Sequence, residues 1–294
     1  MSMVWTREFT MCELLAVSTS RPARLTFSLK TLASRGAGSG TMHDGWGVAF
    51  YQGNDVALFR EPFAAAESEL VRHLETHGPI TNLAISHIRH ATQGRVELAN
   101  TQPFVRELGG RTHCFAHNGS LTGIEDDARL QPGDRYRAVG QTDSELAFCA
   151  LLSRLSKLWK ENTQPSLEAR QLVVASFAAD IARLGPANFL YCDGDVLFAH
   201  GHQRLQSAMG RIAPPGLWTL QRVCKTPESP PAHQGGLAVE GADQSVVFIA
   251  SVPLTAEAWR PLAEGEVIAV RAGELLVNPL QVSNLSGRAA IPDN

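Results

Sequence analysis

The chain has 294 residues, 44% hydrophobic and 19% charged, with 26 Lys and Arg against 29 Asp and Glu for a net charge of −3. That composition can bury a large core and excludes the disordered, collagen-like and fibrous classes. A near-balanced charge with no basic run leaves no footprint for nucleic acid or for an anionic membrane surface.

In chain order, residues 13–18 (ELLAVS) and 46–51 (WGVAFY) read as strands, with 25–33 (LTFSLKTLA) between them as a short helix followed by a glycine-rich loop, Ser34–Gly45. Val56–Phe59 is a further strand after Gly53-Asn54-Asp55, which carries hairpin turn chemistry, and 67–75 is helical. Asn82–Ile88 and His113–Ala116 are apolar segments that run into polar clusters, His87-Ile88-Arg89-His90 and His117-Asn118-Gly119. Phe148, Leu151, Leu152, Leu155 and Leu158 follow helical spacing after Thr142-Asp143, as do Val173, Val174, Phe177, Ile181 and Leu184 before Gly185-Pro186.

The last third returns to strands at Phe189–Cys192, Val196–Ala199, Leu217–Val223, Val246–Ser251, Val267–Val270 and Leu275–Val277. Strands, then helices, then strands suggest a layered α+β fold. Thr226–Gly236, rich in proline and glycine, reads as a long loop within one domain, because neither flank has a complete pattern of its own. Residues 12–280 are thus read as a single domain, 1–11 as a leader or a mis-assigned start, and 281–294 as a polar tail.

The longest apolar stretches, such as Ser245 to Leu254, are about half the ~20 residues a membrane helix needs, and the first ten residues carry Arg7 and Glu8 without an apolar h-region. Cysteines at 12, 114, 149, 192 and 224 form no CxxC pair and resemble neither a disulfide framework nor a zinc ribbon. A soluble protein of the reducing cytoplasm is expected.

Met11-Cys12 is the first feature that can carry chemistry. Removing Met11 places the thiol beside a free α-amine of pKa ~7.7–8.0, which can take the thiol proton at neutral pH and return it to a leaving amine. Read alone, such a cysteine is more often simply a small buried apolar residue at the start of a strand. Arg89, in Ser86-His87-Ile88-Arg89-His90-Ala91-Thr92, offers a planar fork for a carboxylate, although a lone Arg is more often a surface ion pair. Asn118-Gly119 supplies a side-chain amide and a backbone N–H that could form a two-donor oxyanion hole, whereas an isolated Asn-Gly is usually a turn. Gln141-Thr142-Asp143-Ser144-Glu145 opens a helix, so Thr142 or Asp143 caps it, or Asp143 instead holds an ammonium group.

The order Met-Cys, Arg-x-Ala-Thr, His-Asn-Gly, Thr-Asp-Ser-Glu resembles the glutaminase domain of class II glutamine amidotransferases, a branch of the N-terminal-nucleophile hydrolases. His43-Asp44-Gly45-Trp46-Gly47-Val48 and Asn100-Thr101-Gln102-Pro103-Phe104 further resemble the small stand-alone bacterial members. The resemblance extends from Met11 to about Val277. It implies a four-layer αββα sandwich in which two antiparallel sheets lie face to face with helices outside. It also implies that Cys12 attacks the γ-carbonyl of L-glutamine or of a γ-glutamyl small molecule, with Asn118 and Gly119 stabilising the oxyanion. Arg89 would grip the substrate α-carboxylate and Asp143 its α-ammonium, with Thr92 and the backbone around His90 completing that end. No cofactor and no metal is implied.

The chain departs from that pattern in having eleven residues ahead of Cys12, which would block its amine, and in placing His90 where larger synthases carry tryptophan. Arg35-Gly36 would match an arginine that covers the pocket in those synthases. Ammonia would pass to a separate synthase subunit, or the protein hydrolyses its own substrate, such as a larger γ-glutamyl conjugate of the ergothioneine-pathway type. Loop Ser34–His43 and segment Asn100–Gly110 would line the leaving-group side.

Two other readings compete. A metal hydrolase could use His87, His90, His113 and His117 with Asp44 or Asp143, but residues three apart on a strand point to opposite faces. A non-catalytic regulatory subunit would keep the glutamine pocket without turnover.

Overall fold

The computed structural model describes residues 12–27, 44–91, 93–159, 163–224, 237–239 and 243–276. The first half contains β1 (Glu13–Phe27), β2 (Trp46–Gln52), β3 (Asp55–Glu61), α1 (Glu69–His77), β4 (Ile80–Ile88), β5 (Phe104–Leu108) and β6 (Arg111–Gly119). Then come α2 (Asp143–Leu155), α3 (Leu167–Ala182), β7 (Ala187–Cys192), β8 (Leu197–Gly201), β9 (Arg204–Gln206), β10 (Arg211–Ala213) and β11 (Trp218–Cys224). β12 (Leu237–Val239), β13 (Gln244–Ala250), β14 (Arg260–Pro261), β15 (Glu266–Arg271) and β16 (Glu274–Leu276) complete it.

Among the described residues these strands form an eight-stranded sheet ordered β14-β11-β13-β1-β4-β2-β3, with β12 also on β1, and a six-stranded sheet ordered β16-β15-β8-β7-β6-β5. Every pairing in both sheets is antiparallel. Alternation along β1 explains its central place. Leu14 and Ala16 face the other sheet, Leu15 and Val17 face outward, and all four are buried, so both faces of the strand are covered.

The contact between the sheets is built from small and aliphatic residues, among them Ala16, Ala49 and Ile85 against Cys114, Ala116 and Leu190. On the outer face of the larger sheet, Trp46, Val48 and Phe50 pack with Val71 and Leu74 of α1, whose first turn is capped by Ser68 Oγ accepting from Val71 N at 3.0 Å. On the outer face of the smaller sheet, Phe115 lies 5.4 Å from Phe148 of α2, and Phe189 lies 5.7 Å from Phe177 of α3, centroid to centroid. Each fully buried phenyl ring contributes roughly 1.5–3 kcal/mol of transfer free energy. Helix, sheet, sheet, helix is the four-layer αββα sandwich, as the resemblance implied.

The turn at Gly53-Asn54 joins β2 to β3 as the sequence predicts, with Gln52 paired to Asp55 and Gly53 at φ +65°. The helix expected over 25–33 is corrected over 25–27, while 28–33 lie outside the described residues. Leu25, Thr26 and Phe27 belong to β1 and pair with Val239, Ala238 and Leu237, a partner strand far along the chain. A short apolar run is ambiguous between helix and strand, and here long-range pairing decides. Residues 28–43 lie outside the described residues, as do 1–11, the loop 226–236 and the tail 281–294. The segment Asn100–Gly110 contains β5, whose Phe104 and Leu108 are buried in the core beneath the helices. Among the described residues no helix is long and apolar enough to cross a membrane.

The register gathers the polar strand ends. Glu13 pairs with Ile88 and Leu15 with Ala250, so the start of β1, the end of β4 and the end of β13 meet at one edge of the sandwich. The end of β6 reaches the same edge from the facing sheet, where the Asn118 amide donates to Cys12 O.

Candidate active site

Cys12 immediately precedes β1, and its thiol is held by one peptide. Sγ donates to His90 O at 3.3 Å and accepts from His90 N at 3.2 Å. Burial pushes the thiol up to about 11, helped by the negative charges of Glu13 and Asp143 and opposed by the His90 hydrogen bond and Arg89. The thiol is therefore protonated in the neutral range and needs a base to become a nucleophile.

Asn118 sits one residue from the end of β6. Its Nδ2 donates to Cys12 O and lies 3.4 Å from Ser251 Oγ, while Asn188 Nδ2 donates to Asn118 O at 3.1 Å. Asn118 Oδ1 is buried and finds no partner among the described residues. The Asn118-Gly119 pair is strand, not turn, with Gly119 opposite Ala187. A Cβ at Gly119 would stand 1.8 Å from Pro186 O and 2.9 Å from His117 Nε2, so close strand packing demands glycine there.

Arg89 follows β4, and among the described residues its guanidinium is held by backbone carbonyls. Nη1 donates to Asp44 O at 3.4 Å, and Nη2 donates to Gln93 O at 3.0 Å and Gly94 O at 3.4 Å. Burial lowers its pKa, with Cys12, Asp44 and Glu97 opposing, and arginine nonetheless remains a cation. Among the described residues no carboxylate forms an ion pair with it, so its charge can still serve an anion.

Asp143 opens α2, but Thr142 is the cap, accepting from Glu145 N through Oγ1 at 3.3 Å. The Asp143 carboxylate accepts from Leu121 N and Ser144 N, each at 2.7 Å. No cation pairs with it among the described residues, and its charge reaches the Cys12 thiol. The cap therefore falls to Thr142 and not to Asp143.

His90 contributes its peptide to Cys12, and its Nδ1 stands 3.6 Å from Asp44 Oδ2, which also accepts from Ala91 N at 2.8 Å. Thr92 lies outside the described residues. The structure therefore brings Cys12, Arg89, His90, Asn118, Gly119 and Asp143 to one end of the sandwich.

The other histidines are dispersed. His113 bonds Tyr191 Oη at 2.7 Å and Leu108 O at 3.0 Å, and His117 Nδ1 bonds Ser144 Oγ at 2.9 Å. Burial, with Arg89 and His117 nearby, pushes His87 down to about 3, so it is neutral. Among the described residues no group of three or more His, Cys, Asp or Glu side chains could hold a metal ion.

Several residues at this end were given no role from the sequence. Gln102 clamps the His117 peptide, accepting from His117 N at 2.6 Å and donating to His117 O at 3.1 Å. It stood inside the quoted Asn-Thr-Gln-Pro-Phe segment, which was the only available signal. Glu13 and Arg204 form an ion pair at 2.5 Å, and Arg204 Nη1 donates to Ser251 O at 2.8 Å. Neither Arg204 nor Ser251 lies in any motif.

Comparison with known proteins adds the following. A family model for "Glutamine amidotransferases class-II" matches residues 11–287. "Putative glutamine amidotransferase YafJ" of Escherichia coli (strain K12) is 35% identical over 273 residues, covering 91% of this chain and 100% of its own. The crystal structure of a "predicted glutamine amidotransferase" from Pseudomonas aeruginosa PA01 matches with a TM-score of 0.64 and 33% identity, covering 91% of this chain and 100% of its own. The glutamine phosphoribosylpyrophosphate amidotransferase of B. subtilis matches with a TM-score of 0.53 at 15% identity, over 90% of this chain and 48% of its own, a likeness of fold alone.

Proposed function

The chain belongs to the class-II glutamine amidotransferases, and from that premise we propose that it is an amidohydrolase cleaving L-glutamine or a γ-glutamyl amide through a Cys12 thioester. In a chain that begins at Cys12, Sγ attacks the γ-carbonyl while the free α-amine takes the thiol proton. Asn118 Nδ2 and Gly119 N–H donate to the oxyanion, the amine returns the proton to the departing ammonia or amine, and water then hydrolyses the thioester. Ammonia either is released or passes to a separate synthase subunit.

One observation carries this reading: the Cys12 thiol, fastened to the His90 peptide, shares a strand-end cluster with the Asn118 amide. Arg89 and Asp143, whose opposite charges both reach that thiol, suit the α-carboxylate and α-ammonium of an amino acid. Ammonia release from L-glutamine by a chain beginning at Cys12, compared with a panel of γ-glutamyl amides, tests the reading and ranks the substrates. Absence of turnover on all of them would refute it and favour a regulatory subunit.

Arg89→Ala and Asp143→Ala are each expected to raise KM by about 10- to 150-fold, the equivalent of ~1.5–3 kcal/mol for one charged hydrogen bond. Steady-state kinetics at varied L-glutamine checks this, and an unchanged KM would remove that residue from substrate recognition.

A further inference from the structure

The ion pair between Glu13 and Arg204 plays no part in attack, oxyanion stabilisation or substrate grip as proposed above. Glu13 is 0% exposed and Arg204 6% exposed. Desolvating two charges offsets most of their attraction, so a buried pair is weak evidence for added stability. Its geometry, however, ties together the backbone on either side of the proposed chemistry.

Ser251 is the junction, with its peptide N–H donating to Leu14 O at 3.0 Å and its carbonyl accepting from Arg204 Nη1 at 2.8 Å. A serine hydroxyl has one proton to donate and two lone pairs to accept with. Here Oγ accepts from Leu14 N at 2.9 Å and from Asn118 Nδ2 at 3.4 Å. Glu13 also adjoins Cys12 in the chain, and the Asn118 amide donates to Cys12 O. A closed circuit therefore runs Cys12, Glu13, Arg204, Ser251, Asn118 and back to Cys12. Arg204 enters it from β9, so the circuit also fastens the β9–β10 hairpin to this end of the sandwich.

We propose that Glu13, Arg204 and Ser251 are positioning residues that hold the Cys12 backbone and the Asn118 amide in one register, so that nucleophile and oxyanion donor are aligned before substrate arrives. The proposal rests on the nucleophile role given to Cys12.

The experiment starts with the chain beginning at Cys12, where L-glutamine hydrolysis and its loss in Cys12→Ala decide the nucleophile role by themselves. With that activity present, Ser251→Ala is expected to lower kcat about 10- to 100-fold, the scale of a sub-ångström misplacement, with KM nearly unchanged. Ser251→Thr, which keeps the hydroxyl, should recover most of the rate.

Glu13→Gln leaves the Arg204 charge buried alone and can unfold the protein, so the double variant Glu13→Gln/Arg204→Met is measured beside it, with circular dichroism confirming the fold. The same loss of kcat in that folded double variant supports the circuit. Unchanged kcat in both Ser251→Ala and the double variant overturns it and leaves the trio a purely structural tie.

Should L-glutamine and the γ-glutamyl amides prove inert, the nucleophile role fails separately, and the circuit is read from iodoacetamide alkylation of Cys12, located by peptide mass. A rise of about threefold or more in Ser251→Ala upholds the coupling of Ser251 to the thiol, and an unchanged rate overturns it.

Discussion

Replacing Cys12 with alanine is expected to abolish ammonia release from L-glutamine while leaving the sandwich folded, and leaving any residue attached ahead of Cys12 is expected to be nearly as damaging. Both follow from the state of the thiol. With the pKa pushed up to about 11, the thiolate is only on the order of one part in ten thousand at pH 7, so a general base is required. The histidines nearby do not supply an obvious one, since burial holds His87 neutral at about 3 and lowers His117 as well.

The α-amine of a terminal Cys12 does, because an ordinary α-amine titrates near ~7.7–8.0 and is partly neutral at pH 7. A peptide bond to residue 11 removes that basicity, at a cost of about 10²–10⁴ in rate for loss of general-base help. The sign of the pH dependence follows: protonating the amine removes the base, so kcat/KM should rise with pH up to about 8 and then level while the thiol stays protonated. Rate against pH for the processed chain, its N-acetylated form and Cys12→Ala tests all three parts. Hydrolysis that survives in Cys12→Ala would sink the mechanism.

Asn118→Ala is expected to lower kcat by about 10²–10³, equivalent to ~2.7–4 kcal/mol, through loss of one oxyanion donor. Alanine also takes away the donor to Cys12 O, so the loss mixes transition-state stabilisation with positioning. Asn118→Asp, which likewise cannot donate to Cys12 O, tests the oxyanion role by the sign of the charge it presents. It keeps the shape but presents acceptor oxygens to a developing negative charge, and it should be at least as slow as the alanine variant with KM little changed. Saturating-substrate rates for both variants, with thermal melts to confirm folding, provide the measurement. An aspartate variant near the parent rate would exclude Asn118 as an oxyanion donor.

Much of the layering was legible in the sequence. The apolar runs of β1, β2, β4 and β13 and the helical spacing of α2 and α3 come from local burial, and local burial writes itself into neighbouring residues. The polar clusters at strand ends stood out for the same reason, as abrupt breaks in apolar runs. The misread segment 25–27, expected as the start of a helix, marks the limit. Leu25–Phe27 are strand because they pair with Leu237–Val239, and nothing within ten residues of Leu25 records that partner. The five strands β5, β9, β10, β12 and β14 escaped because most span only two or three residues, too few for a period to show.

The candidate site divides along the same line. Residue order and motif singled out Cys12, Arg89, Asn118, Gly119 and Asp143, because each stands in a short cluster of unusual chemistry. Only the tertiary structure decided that Thr142, not Asp143, caps α2, and that Arg89 is held by carbonyls with no carboxylate paired to it among the described residues. It alone joined Glu13 to Arg204 across 191 positions and Leu14 to Ser251 across 237. Patterns in sequence report what a residue's neighbours along the chain bury, whereas the strand register that turns distant polar side chains into one hydrogen-bonded circuit is set by the packing of the whole sandwich.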